Sequence, residues 1–182
     1  QTTGIWKTVW TEYVPDIRLD YVKMTPNLHD MALEIEYQID APESAMAGGN
    51  LMVVATVTFG DMLISKTMTV MTSDHTKTKI DVFHKTNGQA NCGMEWGVRT
   101  WSPESPDLYD ITFEVVSDGK ILDTVGSYFA MREIRIDGSN ILLNGHPLYQ
   151  RLILDQGYWK DSHLTPPSEE ALIEDIDKIH EL

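Results

Sequence analysis

Side chains able to do chemistry are present, but their spacing is poor. The six histidines are His29, His75, His84, His146, His163 and His180. No two stand at i, i+3 or i, i+4, the separations that bring two imidazoles around a metal on one helical face, and no Cys-x-x-Cys occurs. Surface and edge positions account for them. The single cysteine, Cys92, lies in Asn91-Cys92-Gly93-Met94-Glu95-Trp96. A nucleophilic thiolate needs a base and an electropositive setting, and an isolated thiol in an acidic chain has neither. Cys92 therefore reads as a small buried apolar residue, and one cysteine excludes an internal disulfide. The turns Asn144-Gly145 and Ser117-Asp118-Gly119-Lys120 lack the glycine count and lysine of a phosphate loop. No cofactor and no metal is expected.

Carboxylates are plentiful, with 28 Asp+Glu. Glu34, Glu36, Asp110 and Glu114 alternate with apolar residues, which puts them on a solvated face. Asp155 differs. It follows an apolar run directly, in Leu152-Ile153-Leu154-Asp155-Gln156-Gly157-Tyr158-Trp159. Two readings stay open for it. Residues at the C-terminal ends of strands in a βα barrel face the active site, and a loop aspartate also bonds nearby backbone. The five tryptophans, Trp6, Trp10, Trp96, Trp101 and Trp159, are scattered without a fixed period, so packing anchors suit them better than a sugar-stacking array.

The 182 residues carry 14 Lys+Arg, for a formal charge of −14. That sign opposes a broad nucleic-acid groove and an anionic membrane surface. No apolar run approaches the roughly 18 residues of a membrane span. Gln1-Thr2-Thr3-Gly4 shows neither a charged nor an apolar leader region, so no signal peptide is read and the compartment is left open.

The elements that must position these residues read mainly as strands. Period-two alternation runs through Ile17, Leu19, Tyr21; Leu33, Ile35, Tyr37, Ile39; Leu51, Val53, Ala55, Val57, Phe59; Ile64, Met68, Val70; Ile80, Val82; and Tyr109, Ile111, Phe113, Val115. Residues 121–132 follow a tight-turn sequence. About seven short strands over about a hundred residues fit an immunoglobulin-like β-sandwich with one solvated face per sheet. Trp101 is expected to pack near one end of it. Residues 4–10 read as a short aromatic strand before the sandwich. Gly138-Ser139-Asn140 marks a hairpin after it, and 148–154 reads as a strand buried on both faces. Pro166-Pro167-Ser168-Glu169-Glu170 predicts a helix start, with Leu172, Ile176 and Ile179 on one face. A strand, a loop and a helix form the opening of a βα-repeat domain.

Several of these segments together resemble glycoside hydrolase family 2. Gly4-Ile5-Trp6-Lys7-Thr8-Val9-Trp10 is similar to the last strand of its N-terminal sugar-binding jelly roll. Trp101-Ser102-Pro103-Glu104-Ser105-Pro106-Asp107-Leu108-Tyr109 resembles the Trp-x-Pro…Pro-x-Leu-Tyr signature of its immunoglobulin-like domain. Arg132-Glu133-Ile134 and Ile141-Leu142-Leu143-Asn144-Gly145-His146-Pro147-Leu148 resemble its passage into a catalytic (β/α)8 barrel. Arg151-Leu152-Ile153-Leu154 stands where many members carry Arg-Gly-Val-Asn. The resemblance implies an all-β core: residues 1–11 ending a jelly roll, 12–133 an immunoglobulin-like sandwich, and 134–182 the strand–loop–helix start of a truncated barrel. It implies a β-galactosidase-like or β-glucuronidase-like parent acting on a β-glycoside. The two glutamates of its retaining mechanism fall on later barrel strands, so no catalytic residue is expected here, and Asp155 is the one candidate near substrate. The sandwich is expected to act as a spacer and scaffold. The truncated barrel segment is expected to seek cover, on the sandwich or in a homo-oligomer. The rival expectation is a non-catalytic carbohydrate-binding or adhesion immunoglobulin-like module, marked by an exposed coplanar pair of aromatics.

Overall fold

The computed structural model describes residues 4–5, 8–83, 85–86, 89–90 and 97–181. The expectations for Trp6, His84, Cys92 and Trp96 lie outside them. The chain divides into two compact units, Val14–Leu148 and a second formed by Gln1–Tyr13 with Tyr149–Leu182.

The first unit is a sandwich. One sheet has the order β1-β2-β5, from β1 (Arg18–Asn27), β2 (Ala32–Asp40) and β5 (His75–Asp81). The other has the order β4-β3-β8-β9, from β3 (Leu51–Phe59), β4 (Met62–Val70), β8 (Tyr109–Ser117) and β9 (Lys120–Phe129). All of these pairs are antiparallel. A short helix, α1 (Glu43–Ala47), lies in the crossover from β2 to β3. β6 (Lys85–Thr86) and β7 (Gln89–Ala90) form a small separate ladder. The turn between β8 and β9 has φ +49° at Asp118 and +75° at Gly119, the left-handed pair that a two-residue hairpin of this twist requires.

The alternation predicted from sequence fills the core. Leu33, Ile35, Tyr37 and Ile39 of β2 face Tyr109, Ile111, Phe113 and Val115 of β8, and each of the eight is at most 2% exposed. Tyr37 and Phe113 meet edge to face across the two sheets, with centroids 5.8 Å apart. Tyr109 stacks on Phe129 at 5.1 Å and meets Phe59 at 5.2 Å. Its hydroxyl accepts the Arg99 backbone N–H at 2.8 Å, fixing the approach to β8 in the manner of the tyrosine corner of immunoglobulin-like sandwiches. Burial pushes the Tyr37 and Tyr109 phenols above their ordinary pKa. Gly97, at φ +67°, lies under Met31, and a Cβ there would sit 2.7 Å from its sulfur.

Two stripes depart from simple alternation, each at a bulge. In β1, Leu19 pairs with Ile39 but Tyr21 pairs with Gln38, leaving Asp20 as the extra residue. Leu19 points inward and Tyr21 is 55% exposed, with Val22 and Met24 continuing the inner face. In β4 the pairs Val57–Ser65 and Thr58–Leu63 leave Ile64 as the extra residue. Ile64 packs on the core, whereas Met68 and Val70 are exposed. One inserted residue reverses the facing of everything beyond it.

β10 (Ile134–Asp137) and β11 (Asn140–Leu143) form the expected hairpin, and β12 (His146–Pro147) adds to β11 after the turn Asn144-Gly145. The hairpin falls within the same compact unit as the sandwich. In the second unit, residues 8–10 carry no strand pairing, and Val9 and Trp10 are exposed. The run 148–154 also forms no strand. A strand of a parallel sheet is defined by its laddered neighbours, and none of the described residues supplies one. Leu152 and Leu154 are accordingly 79% and 84% exposed. The predicted helix is present as α2 (Glu169–His180), with the Ser168 hydroxyl accepting the Ala171 N–H at 3.2 Å. It buries none of its residues: Leu172, Ile176 and Ile179 are 42%, 57% and 39% exposed.

Candidate functional site

Asp155 sits in the loop between residue 154 and α2, in the second unit. Its Oδ1 accepts the Gly157 N–H at 2.7 Å, an Asx turn in which Gly157 takes φ +58°. The turn leads into a small antiparallel bridge: the Trp159 N–H donates to the His163 carbonyl at 2.8 Å and the His163 N–H returns to Trp159 at 3.0 Å. Tyr158 and His163 approach with ring centroids 5.6 Å apart. Beside this loop, residues 149–153 and the α2 residues Ile176, Ile179 and His180 line an open cleft. At the start of α2 the backbone N–H of Glu170 itself, and then the Ser168 hydroxyl, hold the Glu170 carboxyl below its ordinary value, in keeping with the preference of that end for negative charge.

The other singled-out carboxylates occupy the outer faces of the sheets. Glu36 lies between Lys77 at 3.1 Å and Lys23 at 3.2 Å, linking β5, β2 and β1. Hydrogen bonds from Lys77 and then Lys23 keep its pKa below 4.5. Glu34 and Asp110 are exposed and Glu114 is half-buried. This face is a solvated charge network. Among the described residues no three His, Cys, Asp or Glu side chains converge as metal ligands. The ring pairs Tyr37–Phe113, Phe59–Tyr109 and Tyr109–Phe129 lie in the core and present no stacking platform.

Sequence reasoning missed a polar cluster at the end of the sandwich. Asn144 is 6% exposed, with φ +52°. Its N–H donates to the Glu133 carbonyl at 2.9 Å, its Oδ1 accepts the Glu133 N–H at 3.0 Å, and its Nδ2 donates to the Trp101 carbonyl at 2.9 Å. The Trp101 N–H bonds the Met131 carbonyl at 3.0 Å, and the Arg132 guanidinium lies 4.9 Å from the Trp101 ring. Trp101 thus packs where it was expected. The Asn-Gly turn was legible, but the partners of its side chain lie 11 and 43 residues away and leave no local signal.

The sandwich accounts for residues 17–132, and over those residues the chain matches the sequence model of "Glycosyl hydrolases family 2". The chain belongs to glycoside hydrolase family 2. The family 2 chain is 26% identical, over 82% of its length, to a "Beta-galactosidase" of Klebsiella pneumoniae, of which it covers 14%. It is 39% identical over 56 residues to "Beta-galactosidase BgaC" of Bifidobacterium adolescentis, covering 5% of that protein. Among solved structures it aligns with Bacteroides uniformis beta-glucuronidase 3 over 93% of its length and 20% of that chain, with TM-score 0.68 and 15% identity. A beta-glucuronidase of Ruminococcus gnavus aligns with TM-score 0.62 and 15% identity, over 91% of this chain and 24% of that one. At such identity these two structures speak to the fold. The chain spans less than a quarter of each of these relatives.

Proposed function

We propose that this chain is the immunoglobulin-like domain of a family 2 glycosidase that hydrolyses O-glycosyl bonds of a β-galactoside-like substrate. In this reading residues 1–11 end a jelly roll, 12–133 are the sandwich, and 134–182 open a (β/α)8 barrel completed by further polypeptide. The single observation that carries it is the family match over residues 17–132, in a chain whose relatives are several times longer. The sandwich serves as a scaffold and this chain supplies no catalytic residue. Retaining hydrolysis needs two carboxyl groups about 5–5.5 Å apart across the scissile bond. Asp155 is the residue of this chain nearest substrate in the complete enzyme, by its place after 148–154. There its Asx turn with Gly157 would shape the loop.

The test is hydrolysis of chromogenic β-galactosides and β-glucuronides by the purified chain. We expect none, since removing an acid/base pair forfeits orders of magnitude in rate. Turnover that Asp155→Asn abolishes would place the active site inside this chain and overturn the scaffold reading.

A further inference from the structure

The hairpin of β10 and β11 has little of its own to hold it in place. Every residue of β10 is exposed, and Ile136 is 75% so. Leu142 and Leu143, at 7% and 8% exposed, reach into cover, and Ile141 does so in part. Immediately after them stands Asn144, whose side chain is fully committed to backbone. Its Oδ1 accepts the Glu133 N–H and its Nδ2 donates to the Trp101 carbonyl, while its backbone N–H donates to the Glu133 carbonyl. Trp101 is itself bonded to Met131, two residues before Glu133. The result is a closed circuit, Met131–Trp101–Asn144–Glu133, that ties the far end of the hairpin to the segment from which it departs. Leu148 extends the tie through its N–H to Ile141 at 2.8 Å.

We infer that Asn144 is a latch that fastens residues 134–148 to the sandwich, so that the first free joint of the chain lies after Leu148 and not at residue 133. Asparagine suits the post on three counts. It tolerates the left-handed backbone of the turn. Its carbonyl oxygen accepts and its amide donates in one plane. It carries no charge into a site that is nearly closed to solvent. A glycine would satisfy the first and third requirements but make neither side-chain bond, and an aspartate would keep the acceptor, lose the donor to Trp101 and bring a charge. The inference holds whatever enzyme or module the chain belongs to, because it rests on the hairpin's own contacts.

Hydrogen exchange on the full chain, read by mass spectrometry, tests it with Asn144→Gly and Asn144→Asp. Each lost hydrogen bond is worth about a factor of ten or less in a local opening equilibrium. Asn144→Gly should therefore speed exchange of the Glu133 amide and the β10–β11 ladder by roughly ten- to a hundredfold. Asn144→Asp should lose at least as much protection as Asn144→Gly, because it buries a charge and sets a carboxylate oxygen against the Trp101 carbonyl. Amides of β2 and β8 should keep their protection in both. Limited proteolysis of the wild type should cut first after Leu148, and in Asn144→Gly also within 134–140. Unchanged exchange in Asn144→Gly would mean that only the backbone conformation matters and would overturn the latch. So would equal loss of protection in β2 and β8, or first cleavage of the wild type between 133 and 140.

Discussion

Phe113 occupies a place where the two inner faces meet through aromatic edges. It is 1% exposed and presents its ring to Tyr37 of the opposite sheet. Its neighbour Glu114 points the other way and is only half-buried. The two residues thus report the register of β8 against the core. Phe113→Ala should lower stability by about 3–5 kcal/mol, through lost transfer energy and the cavity left behind. Glu114→Ala should stay within about 0.5 kcal/mol, the usual range for a surface change. Urea denaturation of both variants checks this. A larger loss for Glu114→Ala would mean that β8 is one residue out of register.

At the scale of elements, the central strands were legible and the edge strands less so. β2, β3 and β8 have neighbours on both sides, so their pleat is fixed and period two survives along the whole strand. β1, β4 and β9 lie at sheet edges, and each carries a bulge. A bulge has no composition of its own here. Asp20 and Ile64 look like ordinary members of alternating runs, so simple alternation puts Tyr21, Met68 and Val70 on the inner face, whereas the bulges turn them outward. The run 148–154 departs for a different reason: its apolar composition suits a buried strand, but a strand needs a laddered partner, and none of the described residues supplies one. Asp155 shows the same limit, because sequence identifies a loop aspartate but not whether its carboxylate meets a substrate or the Gly157 N–H. Asp123 exposes what an edge bulge demands. Its Oδ2 accepts the Leu19 N–H at 3.0 Å, beside the β1 bulge, and Oδ1 accepts the Thr124 N–H at 2.9 Å. One carboxylate on β9 therefore stitches the two sheets at their shared edge. Asp123→Ala leaves the N–H of the buried Leu19 without its acceptor and should cost about 1–2 kcal/mol. Asp123→Asn keeps an oxygen in place and should cost less. If denaturant melts rank the two the other way, the cross-sheet bond contributes nothing and the edge is held by Leu19 packing alone.

At the scale of the whole molecule, two tendencies oppose each other. A formal charge of −14 repels a second copy. Against it stand the apolar side chains of the second unit: Leu152 and Leu154 at 79% and 84% exposed, with Ile173 and Ile176 of α2 at 51% and 57%. In the barrel proposed above, neighbouring strands and helices would cover such faces. In this chain by itself, a second copy can cover them, and exposed apolar surface of this kind recruits whatever is available. We expect the chain to self-associate through residues 149–182. Salt decides between the two forces. Screening weakens the repulsion and leaves apolar burial intact, so association should strengthen from about 0.05 M to about 0.5 M salt, as the Debye length shrinks from above 10 Å to well below it. Light scattering across that range, at fixed protein concentration, gives the reading. The double variant Leu152→Glu, Ile176→Glu should be monomeric throughout while keeping the sandwich's thermal transition. A wild type that stays monomeric at high salt, or that associates only at low salt, would show that these faces do not bind one another and that any contact between copies is made by charge.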